Sequence, residues 1–240
     1  MKKNHHKKKY KYLALIPARE GSKRIPNKNI KKFYNLPIIA RSIKVANESN
    51  LFDEIMVSTE SDKIAKISKK FGAKVPFKRS KKNSRDNIHI PAVLEEVLKK
   101  YRKLGKNFEY ICCIYAAAPL IKKQHLYFGL KKLQSKNCNS VLSISEFEGS
   151  IWRSLKKNKN GNLIFNFKNQ SNSMKEQSKN YYHDGQWFWF RASKFIKSKK
   201  IIGKNTKGVL LPKHLSQDIN TFEDWKLAEI KYKYQKNLLK

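Results

Sequence analysis

The sequence is poor in cysteine and has no long apolar run. Cys112, Cys113 and Cys138 are the three cysteines among 240 residues, and their spacing matches neither a metal site nor a disulfide framework. Cys112 and Cys113 lie in an apolar run, where successive side chains face opposite sides of a strand. We expect reduced core cysteines in a cytoplasmic protein. No apolar stretch reaches the length of a membrane span or a signal-peptide core, so we expect no membrane partner.

Arginine is also scarce, although positive charge is abundant. The formal net charge is +36, and arginine occupies eight positions among the 54 basic residues. Arginine is the side chain suited to bidentate phosphate and guanine contacts, whereas the lysines are spread over every segment. The composition therefore indicates nonspecific attraction of polyanions, and it argues against a specific nucleic-acid partner.

The apolar pattern predicts strands that alternate with helices. Four short apolar runs are typical of buried strands, at residues 12–16, 54–59, 110–115 and 140–145. Amphipathic stretches lie between them. One has Ser61 as its N-cap and Gly72 as its stop, and another, residues 90–101, carries one continuous apolar stripe. This alternation predicts an α/β fold with a doubly wound, mainly parallel, Rossmann-like sheet, which binds ligands beyond the carboxyl ends of its strands.

The alternation ends after about residue 145. Residues 152–167 are typical of a hairpin that turns at Asn160-Gly161. We predict one domain over residues 11–240, preceded by a basic disordered tail at residues 1–10. We expect an inserted segment at about 146–182 to leave the sheet and to serve subunit contact.

The segment YYHDGQWFWF (181–190) is predicted to be a strand that is apolar on both faces. Its alternation places Trp187 and Trp189 on one face, and Phe188 and Phe190 on the other. Most of this strand should therefore lie in the core.

A long cationic loop follows the first strand. Residues 16–29, IPAREGSKRIPNKN, hold four cations, one glycine and two prolines. Neither the GxGxxG fingerprint nor the GxxxxGK[ST] P-loop occurs. Backbone amides near Gly21 and Ser22, together with the cations, can instead hold a triphosphate. The alternative is that the lysines of this region are ordinary solvated side chains, namely Lys23, Lys28 and Lys31.

The segment LALIPAREGSKRIPNKN resembles the N-terminal signature of the cytidylyltransferases that make CMP-activated acidic sugars. Four further segments resemble the same family: IMVSTESDKIAKISKKFGAKVPFKR, IYAAAPLI, YHDGQWFW and QDINTFEDWKLAEI. Together they cover about residues 12–232, and YHDGQWFW resembles the pseudaminic acid branch. The resemblance implies the nucleotide-diphospho-sugar transferase fold, CTP and an acidic nine-carbon sugar as substrates, Mg²⁺ as the cofactor, and a homodimer.

By matching position, the resemblance also implies the residues that bind CTP. Those expected at the phosphates are Arg19, Gly21, Ser22, Lys23 and Lys28, and Asn29 and Arg79 are expected near the nucleoside. The catalytic residues would be Arg19, Lys28 and Asp218. The usual proline after the matched arginine is Ser80 in this chain.

The resemblance further implies a metal site and a sugar pocket. Asp218 and Asn220 would bind the metal, and Asn220 stands where the family has a second aspartate. An asparagine carbonyl can coordinate a cation but supplies no charge. The polar rim of the sugar pocket would come from Tyr115, His183, Asp184 and Gln186. A His-Asp pair is otherwise equally typical of a structural hydrogen bond.

The implied reaction is attack by the anomeric hydroxyl of a 2-keto acid sugar on the α-phosphate of CTP, which releases pyrophosphate. Such a transfer depends on positioning and charge neutralisation. Tyr115, Ala117 and Ala118 make the central loop less polar than in relatives that activate sialic acid, which favours pseudaminic acid. Three alternatives remain: the same reaction on sialic or legionaminic acid, a nucleic-acid-binding protein, and a non-catalytic nucleotide binder suggested by Asn220.

Overall fold

The computed structural model describes residues 10–149, 151–167 and 179–237. The predictions for the N-terminal tail at residues 1–9 and for residues 168–178 of the inserted segment lie outside the described residues. Within the described ranges, no helix is long and apolar enough to cross a lipid bilayer.

The described residues form ten strands and six α-helices. The strands are β1 (Tyr12–Pro17), β2 (Lys32–Phe33), β3 (Leu36–Pro37), β4 (Glu54–Ser58), β5 (Tyr110–Ile114), β6 (Ser140–Glu146), β7 (Leu155–Lys157), β8 (Leu163–Phe165), β9 (Tyr181–Arg191) and β10 (Thr206–Leu210). The helices are α1 (Ile38–Ser49), α2 (Asp62–Lys70), α3 (Ile90–Lys103), α4 (Lys123–Gln134), α5 (Ala192–Ser198) and α6 (Phe222–Asn237).

The central sheet has six strands in the order β10-β6-β9-β5-β1-β4. β1 pairs in parallel with β4 and β5, and β10 pairs in parallel with β6. β9 is antiparallel to both of its neighbours, β5 and β6. The predicted mainly parallel α/β sheet is confirmed, with one reversed strand in its middle.

Helices cover both faces of this sheet, as a doubly wound fold requires. On one face, α1, α2 and α4 bury apolar side chains such as Ile43, Ile64 and Leu126. On the other face, α3 and α5 bury residues such as Val97 and Phe195. The ends of α2 follow the sequence signals: the Ser61 hydroxyl accepts from Ile64 N at 3.4 Å, and Gly72, with a φ of 93°, lies just beyond the last turn.

The core of the sheet confirms the predicted faces of β9. Trp187 and Trp189 pack on the α4 side, whereas Phe188 and Phe190 pack on the α3 side. The indole of Trp189 donates to Leu126 O at 3.0 Å. A side chain at Gly129 of α4 would meet the Trp187 ring at 2.5 Å. Glycine at this position therefore allows the helix to lie directly on the tryptophans.

The predicted hairpin is present in the inserted segment. β7 and β8 pair with each other and not with the central sheet, and Gly161 in their turn has a φ of 84°. The two ends of the segment belong to the sheet, because Glu146 of β6 pairs with Tyr181 of β9. The hairpin exposes several large apolar side chains, namely Leu155, Leu163, Ile164 and Phe165.

Candidate active site

A cavity of about 230 Å³ opens where β1 and β5 end, at the carboxyl edge of the parallel strands. Most of its lining comes from three segments, namely the loop after β1, the segment from Arg79 into α3, and the residues that precede α6, while the residues after β5 and Gly185 complete it. Six of the described side chains that line it are cationic, namely Arg19, Lys23, Arg24, Lys28, Arg79 and Arg85. One lining side chain in the described ranges is a carboxylate, that of Asp218. Such a cavity is suited to a ligand with several negative charges.

The structure brings most of the predicted site residues into this cavity. Those that line it are Arg19, Ser22, Lys23, Lys28, Asn29, Arg79, Tyr115, Asp218 and Asn220. Gly21 lies next to it, in an adjoining groove. His183, Asp184 and Gln186 do not line it, but Gly185 between them does.

Lys28 is held rigidly in the cavity wall. A 3₁₀ turn at Lys28–Ile30 follows Asn27 in the left-handed conformation. The Lys28 ammonium donates to Ile219 O at 2.8 Å. Burial lowers the pKa of this ammonium, and the nearby carboxylate of Asp218 opposes that shift. Lys28 is therefore not a solvated surface lysine, in contrast to Lys23, whose side chain is 81% exposed.

Arg19 and Lys23 share a carboxylate partner across the loop. The Arg19 guanidinium donates to Gly21 O at 2.7 Å and also forms an ion pair with Asp86. Lys23 Nζ lies 2.5 Å from the same carboxylate. Lys23 and then Arg19 hold the pKa of Asp86 below its usual value. The carboxylate thus stays ionised at neutral pH, and in the absence of a ligand it partly neutralises these two cations.

Arg79 and Asn29 are buried behind the loop. The Arg79 guanidinium donates to Ser58 Oγ at 3.1 Å and to Ser58 O at 2.5 Å, which holds it at the end of β4. Burial lowers the pKa of Arg79. The Asn29 amide donates to Arg19 O at 2.8 Å. Both side chains are fixed before any ligand binds, as a preorganised binding site requires.

Asp218 and Asn220 precede α6, and their side chains take no part in the cap of this helix. Thr221 Oγ1 accepts from Asp224 N at 3.2 Å, while the Asp224 carboxylate accepts from Thr221 N at 2.7 Å. This reciprocal cap satisfies the start of the helix. The Asp218 side chain is therefore not needed as a helix cap and is available to bind a metal ion, the role that the family resemblance implied. Its Oδ2 accepts from Asn220 Nδ2 at 2.6 Å, and Asn220 Oδ1 accepts from Arg24 at 2.7 Å.

The surroundings of Asp218 are compatible with Mg²⁺. The side chain is exposed to the cavity, and its Oδ1 accepts no hydrogen bond from the described residues. In those residues no group of three or more acidic, histidine or cysteine side chains could enclose a metal ion. Magnesium commonly binds through one or two carboxylates and completes its coordination with water and substrate phosphates. The exposed Asp218 carboxylate, with one oxygen that accepts no hydrogen bond from the described residues, fits this mode of binding in a cationic cavity.

The three polar residues around Gly185 have structural partners. The Asp184 carboxylate is 1% exposed and accepts from Ser143 Oγ and Ser145 Oγ. The His183 ring contacts Ser143 O at 2.9 Å, and the Gln186 amide donates to Gln217 O at 3.0 Å. These bonds hold the bend of β9 against the cavity.

Gly185 is the residue of this bend that lines the cavity. Its φ is 70°, and a Cβ at this position would lie 3.1 Å from Asp218 Oδ1. The Tyr115 ring packs 5.7 Å from the His183 ring, so His183 lies behind Tyr115 as seen from the cavity. Burial raises the pKa of Tyr115, which keeps its phenol protonated at neutral pH.

Sequence reasoning did not assign Arg24, Asn83, Arg85 or Asp86 to the site. Asn83 and Arg85 line the cavity, and Asp86 pairs with two of its cations. These three residues come from a polar segment without apolar periodicity. No local pattern in the sequence therefore indicated that this segment lies beside the loop after β1. Arg24 lies in the cationic loop at residues 16–29, and this position was the signal from which its role in the site could have been predicted.

The family model described as "Cytidylyltransferase" matches residues 13–239. The chain belongs to the cytidylyltransferase family. A pseudaminic acid cytidylyltransferase of Campylobacter jejuni is 35% identical over 224 residues, which is 93% of this chain and 97% of the relative. A CMP-N,N'-diacetyllegionaminic acid synthase of Legionella pneumophila is 31% identical, over 90% of this chain and 94% of the relative.

The fold is also similar to that of a solved synthetase structure. A CMP:2-keto-3-deoxy-manno-octonic acid synthetase, solved with CTP, superposes with a TM-score of 0.67 over 95% of this chain and 99% of the other. Its sequence is 14% identical to that of this cytidylyltransferase, so the likeness concerns the fold.

Replacing Asp86 by asparagine is expected to tighten CTP binding to this cytidylyltransferase, by about twofold to tenfold. The change removes a carboxylate that competes with the nucleotide phosphates for Arg19 and Lys23. Titration calorimetry with CTP measures the effect. Asp62→Asn is the matched control, because its side chain is 98% exposed, pairs with Lys78 and lies outside the cavity. Weaker binding by Asp86→Asn would mean that Asp86 orients the two cations instead of competing for them.

Proposed function

We propose that this cytidylyltransferase transfers CMP from CTP to the anomeric hydroxyl of a nine-carbon 2-keto acid sugar, and that pseudaminic acid is the acceptor. The observation that carries the proposal is a cavity with six cations and one carboxylate at the carboxyl edge of the sheet. The acceptor is inferred from the 35% identity to the Campylobacter jejuni enzyme over almost the whole of both chains.

In this proposal the triphosphate lies over the loop after β1. Arg19, Ser22, Lys23 and Lys28 contact its phosphates, and Asn29 and Arg79 approach the nucleoside. The sugar oxygen forms a bond to the α-phosphorus as the bond to the pyrophosphate oxygen breaks, and the hydroxyl proton passes to solvent water. Cations fixed before the reaction stabilise the charge that develops on the leaving pyrophosphate without further reorganisation.

Asp218 would hold a magnesium ion against the same phosphates. When bound, the ion supplies charge neutralisation and helps to orient the triphosphate. The exposed carboxylate with an unpaired Oδ1 supports this assignment.

The acceptor side of the cavity is less polar. Tyr115, Ala116 and Ala117 line it, together with Ile88. Apolar walls favour a sugar with deoxy and acylamino groups over one with a fully hydroxylated side chain. We therefore favour pseudaminic acid, while the Legionella pneumophila relative makes legionaminic acid the second candidate.

We also propose a cytoplasmic homodimer that is formed through the segment at about 146–182. The apolar side chains exposed on the β7–β8 hairpin support a protein partner at this place. Three buried cysteines without disulfides support a reducing compartment.

The test is pyrophosphate release from CTP with purified pseudaminic, legionaminic and sialic acids, each with magnesium and with a chelator. We expect release that requires magnesium and is fastest with pseudaminic acid. Preference for another sugar would refute the acceptor assignment. CTP binding without turnover on any sugar, restored by Asn220→Asp, would establish a non-catalytic nucleotide binder instead.

A further inference from the structure

A chain of three polar side chains crosses the mouth of the cavity. Arg24 donates to Asn220 Oδ1 at 2.7 Å, and Asn220 Nδ2 donates to Asp218 Oδ2 at 2.6 Å. We propose that Asn220 is a bridge that positions Asp218 and not a metal ligand, and that Arg24 is a further ligand of the nucleotide triphosphate. This inference rests on the proposed function, because it concerns how the same site holds CTP.

The two neighbours of Asn220 fix the orientation of its amide. A guanidinium is a donor only, and a carboxylate is an acceptor only. If the amide were flipped, its NH₂ would face Arg24 and its oxygen would face Asp218, so both hydrogen bonds would be lost. The carbonyl oxygen of Asn220 therefore points at a positive charge, which is an unfavourable place for a metal ion.

The backbone on both sides of Asn220 is held as well. Lys28 donates to Ile219 O at 2.8 Å, and Asn220 N donates to the Asp224 carboxylate at 2.8 Å. With the backbone fixed, Asn220 could turn its carbonyl toward Asp218 Oδ1 only by rotating its side chain, which would break its hydrogen bonds to Arg24 and Asp218. Among residues 218–220, Asp218 is thus the residue whose side chain can bind a magnesium ion.

The amide at position 220 also leaves Arg24 without a carboxylate in direct contact among the described residues, although the Asp224 carboxylate is near enough to interact with its charge. In the described residues Arg24 has no ion pair, its side chain is exposed, and it lines the cavity. A carboxylate in place of the Asn220 amide would form an ion pair with Arg24 and neutralise it. A guanidinium has five N–H donors in a fork that matches phosphate, and one of them is used on Asn220. The remaining donors can bind the β- or γ-phosphate of CTP.

Two consequences can be measured. The wild-type protein should bind CTP even when a chelator removes divalent ions, because side-chain cations supply much of the charge neutralisation. Arg24→Gln and Asn220→Asp should each weaken this metal-free binding by about tenfold, the first by removing the cation and the second by neutralising it. Neither change should weaken the binding of CMP, which lacks the β- and γ-phosphates.

The experiment is titration calorimetry of CTP and of CMP with the wild type and both variants, in EDTA and in magnesium. Arg102→Gln is the matched control for Arg24→Gln, since Arg102 is exposed near the far end of α3 and does not line the cavity. Asn160→Asp adds the same charge as Asn220→Asp in the exposed hairpin turn. Circular dichroism establishes that each variant is folded. Both controls should bind CTP within twofold of the wild type.

The outcomes separate this inference from the proposed function. Unchanged CTP affinity of folded Arg24→Gln and Asn220→Asp in EDTA would overturn the inference alone, as would a parallel loss of CMP affinity. Tighter CTP binding by Asn220→Asp in magnesium, with unchanged affinity in EDTA, would show that side chain 220 faces the metal and not Arg24, and would overturn the bridge. A wild type that binds neither nucleotide under any condition would refute the proposed function itself.

Discussion

Asp218→Asn is expected to lower the rate of CMP transfer by about 100- to 1,000-fold, which is the usual cost of removing one preorganised charge-stabilising group from an active site. Asparagine keeps the shape of the side chain but removes the carboxylate that lines the cavity. Metal-free CTP binding should not weaken, because the lost charge is negative. Pyrophosphate release over a series of magnesium concentrations measures the effect, and the concentration needed for half-maximal rate should rise.

The control for this substitution is again Asp62→Asn, which removes an exposed carboxylate outside the cavity. It should keep the wild-type rate within about twofold, as surface changes usually do. Turnover of Asp218→Asn within tenfold of the wild type, with unchanged magnesium dependence, would show that another group holds the metal.

Gly129→Ala is expected to destabilise the fold by about 2 kcal/mol. The new Cβ would lie 2.5 Å from the Trp187 ring and 2.7 Å from the Trp189 ring. Both tryptophans are fully buried, so α4 has to move away from the sheet. Overpacking of this kind costs about 3 kcal/mol, and the better helix propensity of alanine offsets about 1 kcal/mol.

For a chain of this size the change corresponds to a fall in Tm of about 4 to 8 °C, which thermal unfolding followed by circular dichroism can measure. Gly203→Ala is the matched control, because a Cβ there would meet no atom within 4 Å. An unchanged Tm for Gly129→Ala would mean that α4 does not lie as close to the tryptophans as described.

Local patterns in the sequence were sufficient for several elements of the fold. Ser61 marked the start of α2, since a hydroxyl before an amphipathic run caps a helix wherever the helix packs. The alternation of Trp187 and Phe188 indicated a strand buried on both faces, because the period of a strand is two residues. Such signals depend on neighbouring residues and can be read without the tertiary structure.

The position of β9 depends on distant residues and could not be predicted in that way. Its reversed direction and its place between β5 and β6 come from pairing across long stretches of chain. The contact of Asp86 with Arg19 likewise joins two loops that are 67 residues apart. Neither loop has a periodicity that reveals its neighbour.

The candidate site was predictable chiefly because its residues match a family motif. The resemblance named Lys28 and Asp218, and the structure places both at one cavity. Motif matching supplies no information about burial, however. Asp184 and Gln186 belong to another segment that matches the family, YHDGQWFW. Both side chains are nevertheless buried and hydrogen-bonded behind Gly185.

The position of β9 in the middle of the sheet affects how the polypeptide folds during its synthesis. Until residues 181–191 have left the ribosome, β4-β1-β5 lacks the strand that joins it to β6, and β5 and β6 each present an unpaired edge. Exposed strand edges invite pairing with other chains, and long-range pairing is slow. The same late strand carries Gly185, against which Asp218 packs. A nascent chain can therefore join the two parts of its sheet only after β9 has emerged, and the contact of Asp218 with Gly185 forms later still.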